Sequence, residues 1–378
     1  MDFGFSEEQE MLRKLAHDFL AKESPMPVVR RLMDDDLGYS VETWRKMAEL
    51  GWMGLVFPQD FGGAGLRLLD LAVVLEEMGR ALMPGPFFST VLLGGLSVLE
   101  GGNEAQKARY LPPLIAGELK ATLAVPEAGG PWDAAAVVAT ATADAGGFLL
   151  NGTKRFVPDA HVADLIVVAA RTESSKGEEG ISLFALDVPK DGVSVTTLET
   201  LDQTRKLCDV KLDQVRVGPE SLLGARGAGW AILRRVIDRA KVALCAEMCG
   251  GAERVLEMSV EYAKVRVQFD RPIGSFQTIQ HKCANMLTLV ESAKAATYYA
   301  AWAVSGGAPE GPLAAAMAKS YASDAYRVVA GEAIQIHGGI GFTWEHDLQL
   351  YFRRAKASEL TFGDATFHRA RVAELMNL

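Results

Sequence analysis

Three groups of residues have types and spacings that could do chemistry. Gly338, Gly339 and Gly341 cluster after a helical run. Glycines expose backbone N–H groups and let a pyrophosphate approach closely, and Arg266 could supply the opposing charge. The plainer readings are a helix break for the glycines and a surface ion pair for the arginine. Glu247 is a carboxylate whose helical neighbours are Ala243, Leu244, Gly250 and Gly251. No basic residue is placed for a local ion pair, small neighbours leave room for a ligand, and a carboxylate in apolar surroundings is suited to accept a proton. The competing reading is an exposed surface glutamate. Asp364, after Gly363, is a further carboxylate, in a setting more typical of a turn former or helix cap. His281 and His337 receive no role, because a lone histidine beside a glycine turn is as readily structural.

Three kinds of segment must position these residues. Ser6-Glu7-Glu8-Gln9 is a capping-box pattern, and Met11, Leu12, Leu15 and Phe19 follow at the spacing of an amphipathic helix. Helical patterns continue to about residue 118, with breaks at Gly51, Pro58, the Gly62-Gly63-Ala64-Gly65 loop, Pro84, Pro86 and Pro112-Pro113. The period then changes to short β-rich runs at 137–142, 165–169 and 182–186. Asn151-Gly152 predicts a hairpin turn, and Val210, Leu212, Val215 and Val217 predict the closing strand. Long helical patterns return at about 230–265, 276–305 and 311–335, which predicts a bundle. The alanine-rich stretch 295–303 reads as close helix packing. The expected class is α+β, mainly α: a helical domain at 1–118, a barrel-like β domain at 119–223 and a four-helix bundle at 224–378.

Composition narrows the function. The 378 residues exceed the usual size of one hydrophobic core, and 49% apolar with 23% charged residues is ordinary for a globular protein. A formal net charge of -9 argues against nucleic acid, which needs a basic face. The four cysteines, Cys208, Cys245, Cys249 and Cys283, lack the spacing of a disulfide framework or a zinc site, so no metal is expected. Cys245 and Cys249 should be buried on one helix. The start Met1-Asp2-Phe3-Gly4-Phe5 lacks a basic-then-apolar leader, and no apolar run is long enough to span a bilayer. The expected location is cytoplasmic.

Four ordered motifs carry a resemblance. They are Phe57-Pro58-Gln59-Asp60-Phe61-Gly62-Gly63-Ala64-Gly65, Pro126-Glu127-Ala128-Gly129-Gly130-Pro131-Trp132-Asp133, the stretch 266–281 beginning Arg266-Val267-Gln268-Phe269-Asp270-Arg271-Pro272-Ile273-Gly274, and Gln335-Ile336-His337-Gly338-Gly339-Ile340-Gly341-Phe342. With the helical, β, helical order, the chain resembles the acyl-CoA dehydrogenase family over essentially its whole length. The resemblance implies FAD, with Arg266, Phe269 and Gln277 holding its adenosine and pyrophosphate end on one subunit while Gln335, Gly338 and Gly339 reach it from a neighbour. Val125 and Pro126 backbone and the Phe156 ring would surround the flavin. It further implies an acyl-CoA substrate undergoing α,β-dehydrogenation, electron transfer flavoprotein as acceptor, and a homotetramer or α2β2 heterotetramer. β-Oxidation or another branch of lipid metabolism is the implied setting.

Such a reaction needs a carboxylate near the thioester. By the register of Arg353-Arg354-Ala355-Lys356, Phe362 stands where many family members place their base. Isovaleryl- and long-chain dehydrogenases and bacterial steroid-side-chain enzymes place it instead on the first long helix of the C-terminal bundle, where Glu247 sits. The steroid-side-chain branch is the closest in feel there and implies steroid degradation and bulky acyl groups. Asp364, two residues from the expected register, is the runner-up. Phe156-Val157-Pro158 replaces the family's Trp-Ile-Thr, and Pro158 lacks a backbone N–H. Pro131-Trp132 replaces a more usual small-residue pair. These departures leave open a second class of function, a non-catalytic subunit that completes a partner's FAD site. An oxygen-reducing oxidase is a third.

Overall fold

The computed structural model describes residues 5–127, 132–173 and 177–378. The Met1 to Gly4 part of the leader reading and the substitution at Pro131 therefore fall outside the described residues. The helices are α1 (Glu7–Glu23), α2 (Met26–Met33), α3 (Val41–Glu49), α4 (Leu68–Arg80), α5 (Leu96–Gly101), α6 (Glu104–Ile115), α7 (Gly229–Val265), α8 (Gln277–Ser305), α9 (Gly311–His337), α10 (Leu348–Leu360) and α11 (Ala365–Leu375). The strands are β1 (Ala121–Ala124), β2 (Thr140–Asp144), β3 (Gly147–Pro158), β4 (Leu165–Arg171), β5 (Ile181–Asp187), β6 (Val193–Leu198), β7 (Leu207–Val217), β8 (Leu222–Leu223), β9 (Val267–Gln268) and β10 (Arg271–Pro272). The helical, β, helical order is the expected one. Among the described residues, no helix is long and apolar enough to cross a membrane.

The chain divides into two compact units. One comprises the chain up to Arg31, Arg67–Met83 and Lys241–Leu378; the other comprises Leu32–Leu66 and Pro84–Ala240.

The second unit is built on a sheet whose order is β6-β7-β3-β2-β4-β5-β8, with β1 paired parallel to β4. Among the described residues the hydrogen-bonded path runs from β6 to β8 as a single sheet around one core. Leu150, Ile166, Val168, Phe184, Val210 and Val215 are part of that core. Strand β7 is not the closing strand: it lies between β6 and β3, and β8 ends the path. Its buried residues change phase between Leu212 and Val215, where Gln214 takes φ 54°. The predicted turn at Asn151-Gly152 is also corrected. The β2–β3 turn lies at Ala145-Gly146, while Asn151 and Gly152 sit inside β3 at a slip in its register with β7. There the Asn151 side-chain oxygen accepts from the backbone N–H of Gln214, and the single residue Asn151 stands opposite two residues of β7, Asp213 and Gln214, so the bulge lies in β7. Pro112 and Pro113 lie within α6, in its last turns, where only two amide donors are forgone. A buried π-helix, Ser89–Gly95, precedes α5.

In the first unit, Ser6 caps α1 and Gln9 completes the capping box. The expected apolar face is rotated, however. Met11 and Leu15 are exposed while Ala16 and Leu20 are buried, because α1 meets α4 partly through polar pairs, Gln9 with Asp70 and His17 with Glu77. The long runs become α7, α8 and α9 within two residues of expectation. Ala300, Ala301 and Ala303 are buried, as close helix packing requires. Cys245 and Cys249 are buried on α7, and burial pushes the Cys245 thiol up to about 12, which keeps it inert.

Candidate active and cofactor sites

Glu247 lies on α7 with 7% of its surface exposed, which removes the surface-glutamate reading. Two of the small residues near it, Gly250 and Gly251, face neighbouring helices and do not open space for a ligand. A Cβ on Gly250 would lie 1.8 Å from the Glu76 carbonyl oxygen, and one on Gly251 would lie 2.4 Å from the Tyr326 hydroxyl oxygen. These glycines let α4 and α9 pack onto α7. Helix α4 is pinned on both sides of the crossing. Glu76 pairs with Lys294 at 3.0 Å and accepts a hydrogen bond from Tyr298, while Arg80 pairs with Glu257 and its carbonyl accepts from the Tyr351 hydroxyl at 2.7 Å. Burial beside Glu76 holds the Tyr298 phenol far above its ordinary value, so it stays a donor. The result is a rigid mount for a buried carboxylate.

The loop between α10 and α11 has no carboxylate at position 362. The Phe362 side chain is buried and its backbone is left-handed at φ 62°, followed by Gly363 at φ 96°. Asp364 is the N-cap of α11, its side chain accepting from the Phe367 N–H at 2.8 Å. Two buried bases hold this loop, and neither was singled out from sequence. Lys319 donates at 3.0 Å to the Ser323 hydroxyl and to the carbonyls of Glu359 and Gly363. His368 donates from Nε2 to the Phe362 carbonyl at 2.9 Å, which leaves Nδ1 unprotonated and buried without a partner. Burial lowers Lys319 to about 8 and His368 to about 3, the nearby Lys241 and Lys319 charges adding to the latter. The available signal for Lys319 was a lone charge in the run Ala314-Ala315-Ala316-Met317-Ala318.

In the sheet unit, Val125 is buried, Pro126 half-buried and Phe156 52% exposed. Phe156 also has a left-handed backbone, φ 55°. The Pro126 carbonyl accepts from the Arg155 N–H at 2.9 Å, so these three residues are brought together. The Thr122 hydroxyl donates to the Pro158 carbonyl at 2.6 Å, and Ser89 to Asp159 at 2.6 Å, which fixes the chain beyond Phe156.

The remaining candidates lie in the first unit. Strands β9 and β10 form a hairpin whose turn, Phe269-Asp270, has positive φ at both residues (51° and 61°), the two-residue geometry that matches strand twist. Phe269 at its tip is 85% exposed, Arg266 precedes it, and Gln277 opens α8; both are exposed. At the end of α9, Gln335 and Gly339 are exposed and Gly338 takes φ 63°. Tyr262 and His337 stack with centroids 4.4 Å apart, which brings the last turn of α7, leading to Arg266, against the end of α9, leading to Gly338. His337 donates from Nδ1 to the Ala333 carbonyl at 2.8 Å and is structural; burial lowers its pKa. His281 is exposed on α8.

These residues fit a flavin dinucleotide. Gly338 has a conformation that disfavours a side chain, and no atom lies within 4 Å of a Cβ on Gly338 or Gly339, so another molecule can reach their backbone. Phe156 and Phe269 offer exposed rings for stacking. Among the described residues no group of His, Cys, Asp and Glu could hold a metal ion.

Comparison with known proteins gives the family and the fold. Models of the N-terminal, middle and C-terminal domains of acyl-CoA dehydrogenase match residues 6–118, 122–215 and 227–376. The caffeyl-CoA reductase–Etf complex subunit CarC of Acetobacterium woodii is 30% identical, with 98% of each chain covered. The structure of butyryl-CoA dehydrogenase from Megasphaera elsdenii superposes with a TM-score of 0.93 at 31% identity, covering 100% of both chains. A structure of PigA with FAD and proline superposes with a TM-score of 0.93 at 27% identity, also covering 100% of both.

Proposed function

The chain belongs to the acyl-CoA dehydrogenase family, an oxidoreductase with FAD as cofactor, and we propose that it interconverts an acyl-CoA thioester and its 2-enoyl-CoA with Glu247 as the base. The observation that carries this is the contrast between two carboxylates. Glu247 is buried on α7 where Gly79 of α4 meets its backbone, inside the unit, whereas Asp364 lies at the start of α11 and caps it.

In the dehydrogenation direction Glu247 takes the α-proton, and its mount on α7 keeps the carboxylate from swinging away as charge develops. When bound, FAD supplies the acceptor for a hydride from the β-carbon. Arg266, Phe269 and Gln277 hold the adenosine and pyrophosphate end, Gln335, Gly338 and Gly339 approach from a neighbouring subunit, and Val125, Pro126 and Phe156 face the flavin ring. The same groups serve the reverse reaction, with the Glu247 carboxyl returning the proton. The reductase named among the relatives supports considering that direction. Its complex with Etf supports electron transfer flavoprotein as the redox partner. The assembly is a homotetramer or an α2β2 heterotetramer, the location cytoplasmic, and the substrate a bulky acyl group of the steroid-side-chain kind, on the resemblance around Glu247.

A second reading is favoured by one observation: the side chain at position 362 is a buried phenylalanine, in a loop whose backbone carbonyls are held by Lys319 and His368. In that reading the chain completes a partner's FAD site without catalysing. Visible absorption followed anaerobically during addition of acyl-CoA thioesters separates the two. Bleaching of the flavin band by any thioester supports the catalytic reading and begins to define the substrate. A purified chain with no flavin band, which gains one only with a second polypeptide, supports the other.

A further inference from the structure

Lys154 has no exposed surface, although it lies on a strand of a small β unit. A buried ammonium is costly unless paired and hydrogen-bonded. Burial lowers the Lys154 pKa, and Glu127, also buried, opposes this with an oxygen 2.5 Å away. The Glu127 carboxylate accepts in addition from the N–H groups of Val138 and Ala139, each at 3.0 Å. Lys154 donates to the Val125 carbonyl at 3.3 Å, and the next residue, Arg155, donates its N–H to the Pro126 carbonyl. Val125, Pro126 and Glu127 are thus tied in succession to Lys154 and Arg155.

Phe156 follows immediately. Strand alternation would send its ring to the buried side with Lys154. Instead the pairing of β3 with β7 slips between Lys154 and Val157, and the left-handed backbone at Phe156 turns its ring outward. An apolar side chain of similar length could fill the space of Lys154, but it could not bond the backbone of the Val125 segment.

We propose that Lys154 and Glu127 are positioning residues for the flavin, fixing the Val125 and Pro126 backbone against the bulge that presents Phe156 so that the two act as one wall of the ring's site. This rests on the cofactor-site reading above.

The test compares the wild-type holoprotein with Lys154→Met, Glu127→Gln and the double variant, measuring FAD affinity by fluorescence titration, the visible flavin spectrum and Tm. Glu127→Gln keeps an oxygen for the Val138 and Ala139 N–H groups and supplies a folded variant should Lys154→Met not fold. Folded variants are expected to bind FAD about tenfold more weakly, equivalent to ~1.4 kcal/mol, with a shifted flavin band. Unchanged affinity and spectrum in a folded variant, whatever its Tm, overturn the proposal alone. A wild-type chain that takes up no FAD, alone or with its partner polypeptide, overturns it together with the reading beneath it.

Discussion

Gly79 on α4 meets the backbone of Glu247 on α7 directly: a Cβ built on Gly79 would lie 1.9 Å from the Glu247 carbonyl oxygen and 2.5 Å from its Cα. Only a hydrogen at position 79 permits this crossing. The Glu76 to Lys294 pair and the Arg80 to Glu257 pair then hold α4 in place on either side of the contact.

Gly79→Ala should therefore displace Glu247 by about 1 Å while leaving its chemistry intact. Overpacking of this kind costs ~1–3 kcal/mol of stability, and a displacement of that size lowers turnover by roughly a hundredfold. Thermal unfolding and single-turnover flavin reduction measure the two effects. Wild-type reduction rates in the variant would show that the crossing does not position the base.

Glu247→Gln preserves shape and removes the proton acceptor. Flavin reduction should slow by roughly 10²- to 10⁴-fold, with FAD content unchanged. Asp364→Asn retains a good capping residue and should react like wild type, whereas Asp364→Ala should lose ~1 kcal/mol of stability. Equal losses of rate in Glu247→Gln and Asp364→Asn would reverse the assignment of the base.

His368 makes stability depend on acid. Its folded pKa is lowered to about 3, against about 6.5 in the unfolded chain. Between those values the unfolded chain binds a proton that the folded chain refuses, so stability falls as pH drops, by ~1.4 kcal/mol per unit. Above about 6.5 neither state is protonated and the contribution vanishes. His368→Gln can keep a donor for the Phe362 carbonyl without titrating. Its Tm should decline less steeply from pH 6.5 towards 4 than that of wild type, and parallel curves would assign the acid sensitivity to other groups.

The long helices, the Ser6 cap and the Asp364 cap were legible because each is encoded within a few residues of itself. Asn151-Gly152 was misread for a related reason. Its turn preference is local, while its place inside β3 depends on the bulge at Gln214 across the sheet. Gly250 and Gly251 look alike in sequence whether they face a ligand or a helix, and only the approach of Glu76 and Tyr326 decides. Lys154 and Lys319 escaped notice because charged residues default to the surface. Their partners, Glu127 and the Gly363 carbonyl, lie 27 and 44 positions away.

Gly338 and Gly339 offer a test in which the protein's own packing separates ligand effects from strain. Gly338→Ala places a side chain at φ 63° and costs ~1–3 kcal/mol of backbone strain with or without cofactor. At Gly339 φ is not positive, and no atom of the chain lies within 4 Å of the added Cβ. Within a single chain, then, Gly339→Ala should leave apo-protein stability unchanged. If a pyrophosphate approaches that backbone, the methyl group meets the ligand, and FAD affinity should fall about tenfold or more, at least ~1.4 kcal/mol. Titrating FAD into both variants, with apo-protein Tm measured alongside, distinguishes the cases. Reduced FAD affinity at an unchanged apo Tm in Gly339→Ala supports the site; wild-type affinity in that variant would remove Gly339 from it.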